Sequence, residues 1–128
     1  MRILLGTHIA LWAVAGYASL SKQAKDIILD ADDVFVSVAS TWEIAIKHAL
    51  GKGDMPVSAE QALQAFRDAG YGMLDIKPEH TLKVEKLPHI HKDPFDRMLV
   101  AQAVCEPLIL VTCDPLVAQY GSGVLKVP

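Results

Sequence analysis

The stretch Arg2-Ile3-Leu4-Leu5-Gly6-Thr7-His8-Ile9-Ala10-Leu11-Trp12 sets the pattern by which the rest of the chain is read. Its first four residues suit a short buried strand that ends at Gly6. Thr7 can then cap a helix that runs through Trp12 and stops near Gly16. The same change of period recurs twice. Val34 to Ser37, rich in β-branched and aromatic residues, leads directly into a helix from about Val38 to Leu50. Val38, Trp42, Ala45, Ile46 and Ala49 form the expected core stripe of that helix, and Gly51 ends it. Further on, Leu108 to Thr112 is a strand, and Asp114 opens a short helix after it.

The segments between these units fill in the alternation. Ser19 or Ser21 opens a helix carrying Leu20, Ala24, Ile27, Ile28 and Ala31 at helical spacing, and Asp32-Asp33 is a turn. Gly51 to Val57 is a loop. Ser58 to Gln61 fits a capping box for a helix whose buried face is Ala62, Leu63 and Phe66. Met73 to Ile76 is a strand, and Pro78 starts a helix reaching about Leu87. After the loop from Pro88 to Lys92, Asp93 caps a helix with Pro94 at its first position, spanning roughly Phe95 to Cys105. Val124 to Val127 is a fifth strand. Strands alternating with helices predict an α/β sandwich around a mainly parallel sheet. In such sheets ligands bind beyond the carboxyl ends of the strands, near the switch in strand order.

Composition narrows the function classes. A chain of 128 residues with 52% hydrophobic and 21% charged residues is expected to be one domain, residues 1–128, with a real core. The net charge of −3 gives no basic footprint, so any nucleic acid must be gripped locally. Cys105 and Cys113 show no metal-site spacing and read as reduced, largely buried thiols of a cytoplasmic protein. Arg2 and the apolar run to Ala15 resemble a secretory leader, but Thr7 and His8 interrupt the run, and it reads instead as the first strand and helix. No run approaches the roughly 20 apolar residues of a membrane span.

Three acids stand out by placement. Asp114 follows a strand end and opens a helix, where an N-cap role alone would explain it. Asp96 shares a helix face with Leu99, Val100 and Ala103, and a carboxylate on a core-facing stripe is costly unless paired or metal-bound. Glu43 lies at the margin of its helix's apolar stripe, with Lys47 four residues on as a possible surface partner. All three can point at one sheet edge. An oxygen-only cluster of this kind suits Mg²⁺ or Mn²⁺ better than zinc, and such a cation can activate water and stabilise charge on a phosphodiester. His89 and His91 alternate in a loop, while His8, His48 and His80 are scattered, so neither a zinc site nor a Ser-His-Asp hydrolase is expected. Neither a GxGxxG nor a GxxxxGK[ST] phosphate loop occurs. Arg97 and Lys47 adjoin candidate acids and either pair with them or touch phosphates.

With these residues in hand, a resemblance can be named. The stretches Arg2 to Trp12, Ser37 to Lys47, His91 to Gln102 (with its Asp93-Pro94-Phe95-Asp96-Arg97 core) and Leu110 to Pro115 resemble the PIN-domain proteins of the VapC toxin type. Their order and spacing cover essentially the whole chain. The resemblance implies a three-layer α/β/α fold with four to five strands, Mg²⁺- or Mn²⁺-dependent endoribonuclease activity on RNA, inhibition by a cognate antitoxin protein, and homodimerisation. Its acidic quartet maps onto position 6, Glu43, Asp96 and Asp114, the residues it makes catalytic and metal-binding, with Asp93, Thr7 and Arg97 in support.

Position 6 departs from that pattern, because the family has aspartate where this chain has Gly6. Glycine supplies no ligand and no charge, so metal affinity should fall. A glycine also serves a tight turn with unusual backbone angles, yet the family aspartate makes the same turn. The expectation is a ribonuclease toxin weakened or silenced at Gly6. The alternatives are a catalytically inert PIN-fold module, docking an antitoxin on its first four helices, and an acidic-site phosphoacceptor domain.

Overall fold

A computed structural model describes residues 1–51 and 55–128. Five strands form one sheet: β1 (Arg2–Leu5), β2 (Asp33–Ser37), β3 (Gly72–Leu74), β4 (Ile109–Thr112) and β5 (Val124–Lys126). The order across it is β3-β2-β1-β4-β5, and every neighbouring pair is parallel. The expected α/β class is therefore found, with the sheet parallel throughout.

Seven helices among the described residues connect the strands: α1 (Thr7–Ala15), α2 (Lys22–Asp30), α3 (Val38–Ala49), α4 (Ala59–Asp68), α5 (Pro78–Lys86), α6 (Pro94–Cys105) and α7 (Pro115–Ala118). One core pools Ile3, Leu5 and Val36 from the sheet with Ile9, Ala24 and Phe66 from α1, α2 and α4. The other pools Leu4 and Leu110 with Leu99, Val100 and Val117 from α6 and α7. Successive strand residues alternate between the two cores, as the two-residue period requires. The helix α3 contributes Ile44 to the first core and Ala39 to the second, so it sits at the rim of both.

Several local expectations hold. Ser21 accepts from the Ala24 N–H, and Ser58 and Gln61 close a capping box. Others are corrected. The N-cap of α1 is Gly6, and Thr7 is the first helical residue, its hydroxyl engaged elsewhere. Asp33 is already strand, and β3 lies one residue earlier and is shorter than expected, because only Gly72, Met73 and Leu74 find partners on β2. Gly72 leaves room for the Phe35 ring beside β3, since a Cβ there would come within 2.8 Å of that ring. Of the expected loop from Gly51 to Val57, residues 52–54 lie outside the described residues. Cys105 and Cys113 are free and half-buried, less covered than expected.

The largest correction concerns α3. Its buried residues are Ala39, Ser40, Glu43 and Ile44, whereas Trp42 is 59% exposed and Ile46 and Leu50 also face solvent. The helix is rotated so that two polar residues point inward and the apolar stripe points out. Among the described residues, no helix is long and apolar enough to cross a membrane.

Candidate functional site

The chain runs β1, β2, β3 to one side of the sheet and returns on the other side of β1 with β4. The strand order therefore switches between β1 and β4, and a crevice is expected at their carboxyl ends. Gly6 follows β1 and Asp114 follows β4, so both flank that crevice. A cleft of about 130 Å³ lies there, and its lining includes Gly6, Thr7, Glu43, Asp93, Asp96 and Asp114. Thus α3, the start of α6, and the β4–α7 junction each deliver one of the three expected acids to one place.

Each carboxylate is held differently. Glu43 is buried, and its Oε1 accepts from the Thr7 hydroxyl at 2.9 Å. Because that hydrogen goes to Glu43, Ser40 donates in turn to Thr7 Oγ1 at 2.9 Å. Lys47 closes the other side of Glu43, with Nζ 2.7 Å from Oε2. Asp114 caps α7, its Oδ1 accepting from Leu116 N at 2.8 Å. Its Oδ2 lies 2.8 Å from His91 Nε2. Asp93 caps α6, accepting from the N–H groups of Phe95 and Asp96 at 2.8 and 3.0 Å.

Asp96 is the least supported of the set. His91 Nε2 lies 3.3 Å from its Oδ2. Burial, followed by the charge of Asp93, pushes its carboxyl up from 3.8 to about 6, with Glu43 and Asp114 adding to the rise and His91 opposing it. Asp114 moves the other way. Burial works to raise it, but the hydrogen bond from His91 and the Leu116 N–H outweigh that and hold it below the usual carboxylate range. Burial would lower His91, but the hydrogen bond to Asp114 and the charges of Asp96, Asp114 and Asp93 raise it above its ordinary value. The mutual repulsion of partly buried carboxylates that raises Asp96 is the negative potential that a cation entering the cluster would relieve.

The donor set fits a hard divalent ion. Ligand atoms of His91, Asp96 and Asp114 lie within 4.8 Å of one another. Both nitrogens of His91 are already engaged, however, since Nδ1 accepts from the Asp93 N–H at 3.0 Å and Nε2 faces Asp114. The atoms left to face a metal are therefore carboxylate oxygens, the donors that Mg²⁺ and Mn²⁺ take. A second group, Glu79, His80 and Glu106, has ligand atoms as close together. There His80 Nδ1 accepts from Lys77 N and Nε2 lies 2.6 Å from Glu106, so buried His80 ties α5 to the C-cap of α6.

At Gly6 the φ and ψ angles are −61° and 157°, an extended conformation open to any residue, so glycine is not required by the backbone. A Cβ there would stand 3.2 Å from the Val111 carbonyl oxygen, which already accepts from the Gly6 N–H, so a side chain at this position requires the main chain to give by a few tenths of an ångström.

A PIN-domain family profile matches residues 3–121. The chain belongs to the PIN-domain family. The PIN fold of this chain also recurs in solved structures. A chain of the VapBC2 complex from Rickettsia felis, bound to a DNA fragment from its promoter, shares 15% identity over 99% of this chain and 98% of its own, with a TM-score of 0.67. A chain of a toxin–antitoxin complex from Klebsiella pneumoniae shares 16% over 97% and 96%, with a TM-score of 0.68. A chain of FitAcB from Neisseria gonorrhoeae shares 16% over 92% and 91%, with a TM-score of 0.62. No curated protein is similar enough in sequence to match.

Two side chains of this PIN site differ from expectation. Arg97 turns away from the acids and donates to the carbonyls of Pro88 and Val84 and to the Tyr120 hydroxyl, at 2.8, 2.9 and 3.1 Å. Its role is to pin the loop before α6. His91 lies in the loop expected from sequence, and from there it also stands among the acids, a place the sequence reading did not give it. The available signal was its place two residues before the capping Asp93, a position from which a ring nitrogen can reach that residue's N–H.

Proposed function

We propose that this chain is a VapC-type ribonuclease scaffold whose activity is reduced by Gly6. The observation that carries the reading is that Glu43, Asp96 and Asp114 line one cleft and that Gly6 lines the same cleft. In this reading residues 1–128 act as one domain in the cytoplasm. The cofactor is Mg²⁺ or Mn²⁺, held by Asp96 and Asp114 with Glu43, and the ion supplies Lewis-acid stabilisation of phosphodiester charge and a more acidic water. Thr7 and Ser40 orient Glu43, His91 orients Asp114, and Asp93 fixes the start of α6 beneath Asp96. An aspartate at position 6 would add the fourth carboxylate.

The partners of this reading are an RNA substrate, a cognate antitoxin and a second copy of the chain. With a net charge of −3, RNA is recognised by shape and unpaired bases rather than by a broad basic surface. An apolar groove of about 220 Å³ between α1 and α4, lined by Leu11, Trp12, Tyr17, Val57 and Ala62, offers an antitoxin a docking place. Gly6 also keeps open a second reading, an inert module that retains only antitoxin binding.

The test is RNA cleavage with Mn²⁺ by the chain as it stands, by the Gly6→Asp variant, and by the Gly6→Asp, Asp96→Ala double variant. The nuclease reading expects weak or no cleavage, clear cleavage, and none, in that order. Absence of cleavage by Gly6→Asp, together with retained antitoxin binding, would establish the inert module instead.

A further inference from the structure

We propose that His91 is a positioning residue of the carboxylate cleft, holding Asp114 in the orientation that a divalent cation requires. The inference rests on the metal-binding reading given above. His91 is itself held at three points. Its main-chain N–H donates to the Tyr120 hydroxyl at 2.9 Å, and its Nδ1 accepts from the Asp93 N–H at 3.0 Å. Because Nδ1 is an acceptor, the neutral ring carries its hydrogen on Nε2, and that N–H donates to Asp114 Oδ2 at 2.8 Å. The ring is 15% exposed, so little room is left for it to turn.

The consequence falls on Asp114. Its Oδ1 is fixed by Leu116 N and its Oδ2 by His91, so the carboxylate plane is set before any ion arrives. Asp96 Oδ2, 3.3 Å from the same Nε2, is placed beside it. A metal ligand that is oriented in advance loses less freedom on binding, and partners of this kind change metal affinity by about 10- to 100-fold when removed. His91 is not itself a ligand in this arrangement. To ligate through Nε2 it would have to shed the very hydrogen that orients Asp114.

The experiment measures Mn²⁺ binding by calorimetry and electron paramagnetic resonance on the full chain and on Gly6→Asp, each with His91→Phe or His91→Gln added. Phenylalanine keeps a ring and loses the donor, whereas glutamine places an amide N–H near the position of Nε2. His91→Phe should weaken Mn²⁺ binding by about 10- to 100-fold, and His91→Gln should recover most of that loss, with circular dichroism unchanged throughout. Nitrogen-15 resonances of the parent should show the His91 hydrogen on Nε2. The proposal is overturned by Mn²⁺ binding within twofold of the parent in His91→Phe, by tighter binding, by a glutamine variant as weak as phenylalanine, or by a hydrogen on Nδ1. Should His91→Phe fail to fold, the glutamine variant and the tautomer decide. If Gly6→Asp binds Mn²⁺ and His91→Phe does not alter it, only this inference fails. If no form binds Mn²⁺, the metal reading fails and this inference falls with it.

Discussion

Replacing Asp96 by Asn should make the metal-free protein more stable while removing the role proposed for it. Burial and the charge of Asp93 hold the Asp96 carboxyl at about 6 against an ordinary 3.8. Between those values the native state binds the proton and the unfolded chain releases it, so stability falls as pH rises through that window. Above pH 6 the whole penalty stands. About two pH units at about 1.4 kcal/mol each set a ceiling of ~3 kcal/mol. The Asp96 side chain is 29% exposed, and solvent screening reduces the figure to roughly 1–2 kcal/mol. Asparagine carries no charge, so that amount should be regained at pH 8 and vanish near pH 4. In a domain of this size the gain is a rise in Tm on the order of 5 °C. Urea denaturation in EDTA at pH 4, 6 and 8 measures it. An Asp96→Asn protein that is less stable than the parent at pH 8, or whose gain is the same at pH 4, would refute the reasoning.

Other consequences follow from the same geometry. Without metal, Gly6→Asp should destabilise the protein by about 1–3 kcal/mol in urea denaturation, because the Val111 carbonyl crowds the new Cβ and the new carboxylate joins Glu43, Asp96 and Asp114. Saturating Mn²⁺ should reverse most of that loss. Glu106→Gln should destabilise the protein at pH 7. The hydrogen bond from buried His80 holds Glu106 below 4.5 despite burial pulling the other way, so the difference should shrink as pH falls below about 4.5 in a pH series of thermal melts. Ile44→Ala should cost about 2–5 kcal/mol as a core truncation, whereas Trp42→Ser should cost only about 1 kcal/mol, the edge-on contact with Phe95 being its main loss. Equal costs would place the wrong face of α3 inward.

The strand-to-helix alternation was legible because burial on both sheet faces makes β1 and β4 continuous apolar runs, and the caps at Ser21, Ser58 and Asp93 follow local chemistry. The convergence of Glu43, Asp96 and Asp114 on one cleft was also legible, since residues after parallel strands and on adjoining helix faces share a sheet edge. What was misread in α3 has a physical reason. Apolarity ranks Trp42 and Ile46 above Ser40 and Glu43 as core residues, but Ser40 and Glu43 are buried because Thr7 and Lys47 satisfy them across 33 and 4 residues of chain. His91 was missed for a similar reason. Its place depends on Tyr120 and Asp114, more than 20 residues away, and a loop has no periodicity from which to infer a neighbour. Thr7, read as a cap, gives its hydroxyl to Glu43 while the main chain of Gly6 opens the helix.

The central claim is that a carboxylate metal site is present with one ligand missing at position 6. Anomalous diffraction from Gly6→Asp crystals soaked in Mn²⁺ tests it most directly. The account predicts a peak bounded by position 6, Asp96 and Asp114, with Glu43 beside it. A peak at Glu79, His80 and Glu106 instead, or none at saturating Mn²⁺, would contradict it.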